Sequence, residues 1–542
     1  MAKRIFSNDK KYIHIPVHDE HPNNHRYIRI YDGDTLAHEF HIGVAHSGKT
    51  RDFYVPLYLG NYQNEAITLV CDDEVPEDFF DGFQTGDAPQ KETGLYPDLY
   101  REPTRQQIHF SPARGWMNDP NGLFFKDGKF NAYFQHNPFA SRHGGVNVSW
   151  GHAVSEDGVH FTEYPDAIMP YNSKCSVASG SAFVDVNNLL GKGKGTVIAA
   201  YTALQALQYR GRPRVTQNEG QMLLYSLDDG MTFKRFENNP FLSVPDGEYW
   251  RDPKILEVNG SLVAIVYEPV GDERSTSVYA SKDGKAWSLV SKGEKFHECP
   301  DFFEMEVFDG NEKLYVMYGG HGQYSVGRFE NFKFIPVEQG GFLDYGDVES
   351  VYAGQTFSNY PDPKVRYHTA WLKENGMCCF IADGYVFDGS GFHSSLSLLC
   401  KLTLRKTDKG YRIFKEPHEN LKILRRTPQT IVLVGTCFLQ TPAEYCFTLE
   451  GDKPVNFTVG KEGFTYTPAT RKIVATSGKS YELCLDGAPS FRLFADTRSL
   501  EFFINGEISL TYFATPDTQP LVISDGVKVQ AVKYPLDSIW KK

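Results

Sequence analysis

The sequence predicts an all-β protein. Helical periodicity is scarce along its 542 residues. Short alternating or apolar runs, separated by Asp-Gly, Asn-Gly and Gly-Gly turns, follow one another from end to end, as hairpin-rich sheets require. Aromatic residues make up 14% of the chain, with 31 Tyr and 39 Phe. That composition suits pleated, half-buried surfaces and offers ring faces to sugars. A third observation is a loose internal repeat. Ser155-Glu156-Asp157-Gly158-Val159-His160-Phe161 recurs as Ser226-Leu227-Asp228-Asp229-Gly230-Met231-Thr232-Phe233 and as Ser281-Lys282-Asp283-Gly284-Lys285-Ala286-Trp287. Each copy ends a strand, turns on Asp-Gly and re-enters with an aromatic residue, as the outer hairpin of a propeller blade does. Spacings of roughly 55 to 70 residues exceed a usual blade and imply inserted loops.

Three domains are expected in chain order. Residues 1–100 form a small N-terminal β-domain and linker. Tyr27-Ile28-Arg29-Ile30-Tyr31 and Ala66-Ile67-Thr68-Leu69-Val70 are strand-like, and an acidic, turn-rich passage follows from Asp72 to Asp87. Residues 101–404 hold the repeat and strands such as Lys129–Phe134, Thr196–Tyr201 and Ser261–Tyr267. Residues 405–542 are a second run of short strands, in which Phe491–Asp496 and Leu500–Gly506 make a hairpin, and a β-sandwich is the expected form. Two local signals carry no chemistry. Gly191-Lys192-Gly193-Lys194-Gly195 lacks the phosphate-loop pattern and reads as a blade-connecting turn. His38-Glu39-Phe40-His41 lies in a strand, where alternation puts its two histidines on opposite faces and spoils chelation.

A net charge of −12 argues against nucleic acid as the main partner, because phosphate binding needs a basic footprint. No run of about 18 apolar residues is present, so no membrane span is expected. Nine cysteines without a CxxC pair support neither a zinc ribbon nor a redox motif. Free thiols in a reducing cytoplasm are expected, and no secretory signal is read at Met1–Asp9. A secreted or periplasmic setting stays open for a chain whose signal has been removed.

Three carboxylates are each followed, at once or one residue later, by proline: Asp119 in Trp116-Met117-Asn118-Asp119-Pro120-Asn121-Gly122, Asp252 in Arg251-Asp252-Pro253, and Glu298 in Glu298-Cys299-Pro300-Asp301. Proline restricts its own φ and its neighbour's backbone, and so can hold an adjacent side chain in one direction. Two carboxylates about 5–5.5 Å apart perform double displacement at an anomeric carbon, one as nucleophile and one as acid and then base. Amide and backbone donors around Asp119 are expected to keep it ionised. The apolar neighbours of Glu298 are expected to raise it toward the range of a general acid. Asp252 can hold sugar hydroxyls as positive charge develops.

These residues resemble glycoside hydrolase family 32, the invertases, inulinases and levanases. The matching pieces stand in family order over roughly residues 105 to 510. His109-Phe110-Ser111-Pro112 leads to the Asp119 motif, followed by Tyr133-Phe134-Gln135-His136-Asn137-Pro138, Trp150-Gly151-His152-Ala153 and Ser179-Gly180-Ser181-Ala182. The Asp252 and Glu298 motifs and Tyr352-Ala353-Gly354-Gln355-Thr356-Phe357 complete the set. The resemblance implies a five-bladed β-propeller with a C-terminal β-sandwich, and retaining hydrolysis of terminal β-D-fructofuranosyl residues in fructo-oligosaccharides, inulin, levan or sucrose. It implies Asp119 as nucleophile, Glu298 as acid/base and Asp252 as transition-state stabiliser. Trp116, Asn118, Gln135, Ser179, Arg251 and Tyr352 would contact substrate, with no metal and no cofactor.

The chain departs from the family pattern at three places. Gly145 stands near the position of an extra family tryptophan, Ala178 replaces an aromatic before Ser179, and the Asp344–Tyr352 segment is about two residues longer than the usual family form. Missing apolar walls widen the mouth of the fructosyl pocket or are made good from elsewhere, and the N-terminal domain is expected to close the gap. Trp150 is read as packing rather than a sugar contact. A fructosyltransferase, a carbohydrate-binding propeller without catalysis and an inverting arabinan-active hydrolase remain the alternatives. Linkage preference, exo or endo action and oligomeric state are open at this point.

Overall fold

The computed structural model describes residues 2–19, 24–88, 99–143, 147–170, 175–205, 220–245, 249–269, 273–347, 350–373 and 391–540. Strands dominate, and the helices among these residues are single short turns such as Leu59–Asn61 and Glu419–Leu424.

The N-terminal unit has two antiparallel sheets, one of four strands and one of three, within Ala2–Gly86. Period-2 alternation in Ala66–Cys71 sends Ile67, Leu69 and Cys71 inward, onto Ile13, Ile15, Ile28, Ile30 and Phe40. The Asp72–Asp87 passage is more than a linker. Phe79, Phe80 and Phe83 pack into this same core.

Five antiparallel sheets of four main strands follow. Their first strands are Gly115–Lys126, Cys175–Asp185, Arg251–Val258, Asp301–Glu306 and Val351–Thr356. Each sheet then runs outward in sequence order, as short hairpin connections dictate. The five first strands are linked from one sheet to the next. Gly180 N donates to Asn121 Oδ1 and Ser181 Oγ to the Pro253 carbonyl. Lys254 pairs with Asp301, and Thr356 N donates to Asp301 Oδ2. A parallel bridge from Phe124 to Ser358 returns the circuit to the first sheet.

The repeated Ser-x-Asp turns join the third and fourth strands of the first three sheets. In each, the serine hydroxyl accepts the amide of the turn glycine: Gly158 to Ser155, Gly230 to Ser226 and Gly284 to Ser281. Gly191–Gly195 lies between Cys175–Asp185 and Thr196–Gln205, so it is a hairpin turn inside the second sheet, not a link between sheets. The expected boundary at residue 404 falls inside the strand Cys400–Thr407. That strand pairs back onto Arg366–His368 and forward onto Gly410–Pro417, so the fifth sheet extends to Pro417.

Beyond it, two six-stranded antiparallel sheets face each other. Phe457 and Phe464 of one meet Phe447, Phe491 and Phe502 of the other at centroid distances of 5.1–6.5 Å. The hairpin Ser490–Asp496 to Ser499–Ile504 lies in this unit as expected. Its end is tied to the start of the first sheet by His109, whose ring bonds Asp496 at 2.7 Å and Glu501 at 2.6 Å.

Candidate active site

Four of the five first strands carry the same irregularity. Against each neighbour the register advances three residues for two, between Met117 and Pro120, Val177 and Gly180, Arg251 and Lys254, and Tyr352 and Gln355. A bulge of this kind adds one unpaired residue and re-aims its side chain. The extra residues fall at Asn118–Asp119, Ala178–Ser179, Asp252–Pro253 and Ala353–Gly354. Asp252 and Ala353 take φ of 60° and 51°, values that cost side-chain-bearing residues energy and cluster at functional sites. The remaining first strand starts at Asp301, and Glu298 and Cys299 precede it with φ of 44° and 42°. At Gly180, a Cβ would strike the Ala200 carbonyl, so only glycine lets the second strand sit this close.

The bulges bring together residues 180 positions apart. Cys299 Sγ lies 3.5 Å from Asp119 Oδ2 and 3.6 Å from Asp252 Oδ2, and Cys299 N donates to Asp252 Oδ2 at 3.1 Å. Ser179 Oγ donates to Asp119 Oδ2 at 2.6 Å, and Gln135 Nε2 donates to Ser179 Oγ at 2.8 Å, which orients the hydroxyl. Asp252 N donates to Thr202 Oγ1, whose hydroxyl donates in turn to Gln221 Oε1. Arg251 pairs with Glu298 Oε1, and Tyr352 donates to Glu298 Oε2 at 2.6 Å. All three acids and Gln135, Ser179, Arg251 and Tyr352 thus meet in one place. Trp116 and Asn118 lie on the strand that carries Asp119. Trp116 Nε1 and Asn118 Oδ1 are buried without a hydrogen-bond partner, so each has capacity for a further polar partner such as water or a ligand.

Asp119 and Asp252 are buried, and Glu298 is about a quarter exposed. Burial pushes Asp119 up to about 7, and the charges of Asp252 and Glu298 add to this while the Ser179 hydrogen bond opposes it. Burial also raises Asp252, against the pull of Arg251. For Glu298, burial is outweighed by the Arg251 cation and the Tyr352 hydroxyl, and its pKa is held below the usual carboxylate range. This reverses the expected order of the two acids. Phe302 and Phe303, the apolar neighbours in sequence, point into separate cores, while Arg251 and Tyr352, remote in sequence, are what Glu298 touches.

Sequence reasoning missed several residues at this site. Cys299 stood inside a quoted motif, yet alternation could not show that its thiol faces both aspartates. His297 and Tyr267 are further additions. His297 Nδ1 lies 3.3 Å from the Tyr267 hydroxyl, and its ring stacks on His321 at 5.3 Å beside Glu298. Trp150 is fully buried and donates to the Ala178 carbonyl, a packing role as expected. Gly145 lies outside the described residues. The Asp344 segment is pinned to the C-terminal unit, since Asp344 Oδ2 accepts from Ser509 and Thr511. A separate crevice lined by Tyr12, Tyr58, Tyr100 and Tyr164 lies between the N-terminal unit and the first sheet and holds none of the three acids.

Comparison with known proteins agrees with this architecture. Extracellular exo-inulinase of Aspergillus awamori is 32% identical over 302 residues, 49% of this chain and 54% of that protein. Levanase of Bacillus subtilis is 29% identical over 507 residues, 81% of this chain and 72% of that protein. The chain spans about half the length of the exo-inulinases it matches. Several such relatives are named as extracellular, which lends no support to a cytoplasmic setting. Among solved structures, exo-inulinase from Aspergillus awamori superposes with a TM-score of 0.66 at 24% identity, covering 81% of this chain and all of that one. Fructan 1-exohydrolase IIa from Cichorium intybus gives 0.63 at 20% identity, over 81% of this chain and 98% of that one, so the fold is shared. The model for the glycosyl hydrolases family 32 N-terminal domain matches residues 109–417, more than half of the chain and every bulge that carries an acid; the chain belongs to glycosyl hydrolase family 32.

Proposed function

We propose that this protein is a retaining β-fructofuranosidase that removes terminal fructosyl units from inulin, levan, fructo-oligosaccharides or sucrose. One observation carries the reading: Asp119 and Asp252, on the bulges of two strands, and Glu298, just before a third, converge in one cluster, with Trp116 Nε1 and Asn118 Oδ1 unpaired on the Asp119 strand. A binding module has no need of three clustered carboxylates, because their mutual repulsion and desolvation cost stability. The circuit of five sheets supports a five-bladed propeller for residues 101–417, followed by a β-sandwich. The N-terminal unit is an accessory domain.

In this mechanism Asp119 attacks the anomeric C2 of the fructosyl unit. Glu298 gives its proton to the departing glycosidic oxygen as the C2–O bond breaks. A fructosyl ester forms on Asp119. Water then attacks C2, Glu298 accepts its proton, and Asp119 leaves as carboxylate. Asp252, fixed by the Cys299 amide and aimed away from its own strand, holds ring hydroxyls while C2 carries positive charge. Arg251, Asn118 and Gln135 supply the remaining polar contacts.

Chromatography of products from sucrose, kestose, inulin and levan tests this reading. Fructose should be the unit released, and Asp119→Ala should lower turnover by about 10⁴-fold. Substantial turnover by that variant, or release of long oligosaccharides without fructose, would refute it.

A further inference from the structure

The N-terminal unit lies outside the stretch matched by the family, yet it grips the catalytic unit at two points close to the site. The first is Asp19. It is 6% exposed, and its Oδ2 accepts from Ser141 N at 3.0 Å and Ser141 Oγ at 2.9 Å. Its Oδ1 pairs with Arg142, and Arg142 Nη2 also reaches His25 Nε2 at 3.2 Å. The Asp19 backbone is held in turn by Asp52, which accepts from its amide at 2.7 Å. The second grip is Asn147, whose side-chain amide exchanges two hydrogen bonds with the backbone of His41, at 2.9 and 2.8 Å. Phe40 packs on Phe139 between them, at 4.7 Å.

Next to the first grip, His143 meets Trp116 edge to face, with centroids 5.0 Å apart and planes at 77°. Trp116 stands two residues before the Asn118–Asp119 bulge and is fully buried. A chain of contacts therefore runs from Asp19 through Ser141, Arg142 and His143 to the strand that bears the nucleophile. A buried ion pair backed by hydrogen bonds is a costly way to glue two surfaces, but it fixes one geometry, because loss of either partner strands a charge.

We propose that the N-terminal unit is a positioning element for the fructosyl pocket, acting from Asp19 through Ser141–Arg142–His143 onto Trp116. This rests on the fructosidase reading for its kinetic consequence and on the contact chain alone for its structural one.

Four variants of the full chain test it: Asp19→Ala, Asp19→Asn, His143→Ala and, as a control within the same unit, Arg4→Ala, which breaks only the exposed pair with Asp81. Each is read by sucrose KM and kcat, by the inhibition constant of free fructose, and by hydrogen exchange of residues 115–123. In Asp19→Ala, KM and the fructose inhibition constant should rise about tenfold while kcat changes less, since misplacement of a pocket wall weakens binding. Exchange at 115–123 should accelerate. His143→Ala should reproduce both effects with the Asp19 grip intact. Asp19→Asn keeps an acceptor for Ser141 and should fall between, and Arg4→Ala should match wild type. Should Asp19→Ala fail to fold, Asp19→Asn and His143→Ala decide the matter. The proposal is overturned if Asp19 variants lower the melting temperature yet leave exchange at 115–123 and the fructose constant unchanged. A wild-type chain that neither cleaves sucrose nor binds fructose would overturn the fructosidase reading instead, and the exchange measurement would still judge the contact chain.

Discussion

Arg251 and Glu298 are paired through Nη2 and Oε1, and the guanidinium also lies 3.7 Å from Asp252 Oδ2. The cation therefore faces two acids and favours the ionised form of both. Glu298, the proton donor of the proposed mechanism, is thus held toward its ionised form in the free protein, while Asp119, the proposed nucleophile, is pushed up to about 7 by burial. The groups lie close enough to titrate together, and the proton arrangement that the proposed mechanism needs is a minor form of the free protein. Removing the cation disfavours the Glu298 carboxylate, so the pKa rises and the protonated acid survives to higher pH. Because Glu298 titrates below Asp119, it sets the acid limb of the kcat/KM profile, and Arg251→Met should move that limb upward by about one unit, alongside a large loss of binding. An unmoved or lowered limb would show that Arg251 does not govern the acid.

Ser179 acts on the other limb. Its hydroxyl donates to Asp119, and this hydrogen bond favours the carboxylate. With Ser179→Ala the charged form loses that support, the Asp119 pKa climbs further, and the alkaline limb of kcat/KM should shift to higher pH. The rate itself should fall roughly tenfold to a hundredfold, the worth of a hydrogen bond to a charged group. Gln135→Ala should shift the same limb in the same direction by less, because Gln135 reaches Asp119 only through Ser179.

The positions of the acids were legible in the sequence, and their protonation order was not. Asp-Pro and Cys-Pro junctions mark where inner strands are kinked, but it was the ordered set of motifs resembling the family that singled out Asp119, Asp252 and Glu298. The Glu298 pKa depends on Arg251 and Tyr352, 47 and 54 positions away, and the Asp119 pKa on residues 60 to 180 positions away, whose approach is set by which strands begin adjacent sheets. The turns were equally legible, since Ser-x-Asp-Gly, with one residue more before the glycine in the second copy, satisfies its own amides whatever surrounds it. The end of the fifth sheet was misplaced at residue 404 because nothing local distinguishes a strand that pairs with Arg366–His368 from one that opens a new unit. The Asp19 grip on Ser141 and Arg142 spans more than 120 residues and leaves no pattern in either segment.

Cys299 should be chemically quiet despite its place at the centre of the site. Burial pushes its thiol well above the ordinary range, and the three neighbouring carboxylates raise it further. The thiolate is the reactive species, so little of it exists at neutral pH. Iodoacetamide at pH 7.5 should modify the partly exposed Cys437 well before Cys299, as mass spectrometry of the digested protein would show, and hydrolytic activity should persist while that happens. Cys299→Ala should fold, because its φ of 42° is within reach of alanine, whereas Cys299→Val should be destabilised by a β-branched side chain in that conformation. Rapid loss of activity with labelling at Cys299 would contradict the assignment.

His109 supplies a pH dependence of stability at the junction between the catalytic and C-terminal units. Burial alone would lower its pKa, but hydrogen bonds to Asp496 and Glu501 and their charges raise it to about 9, from 6.5 for the free side chain. A group raised on folding stabilises the native state fully below its unfolded pKa and loses that contribution as pH climbs through the folded value. The gain is thus complete below about pH 6.5 and gone above about pH 9, with an upper size of about 3 kcal/mol. His136, paired with Asp166 and raised to about 9 as well, acts in the same direction, so the wild-type curve alone does not isolate His109. His109→Gln keeps a neutral side chain of similar reach at the same place. The stability difference between wild type and this variant, from urea unfolding at a series of pH values, should be largest near pH 6 and shrink toward pH 9.5. Above that pH both chains carry a neutral group between two buried carboxylates, and the difference should level off. A difference that stays constant from pH 6 to 9.5 would mean that His109 joins the two units by packing rather than by charge.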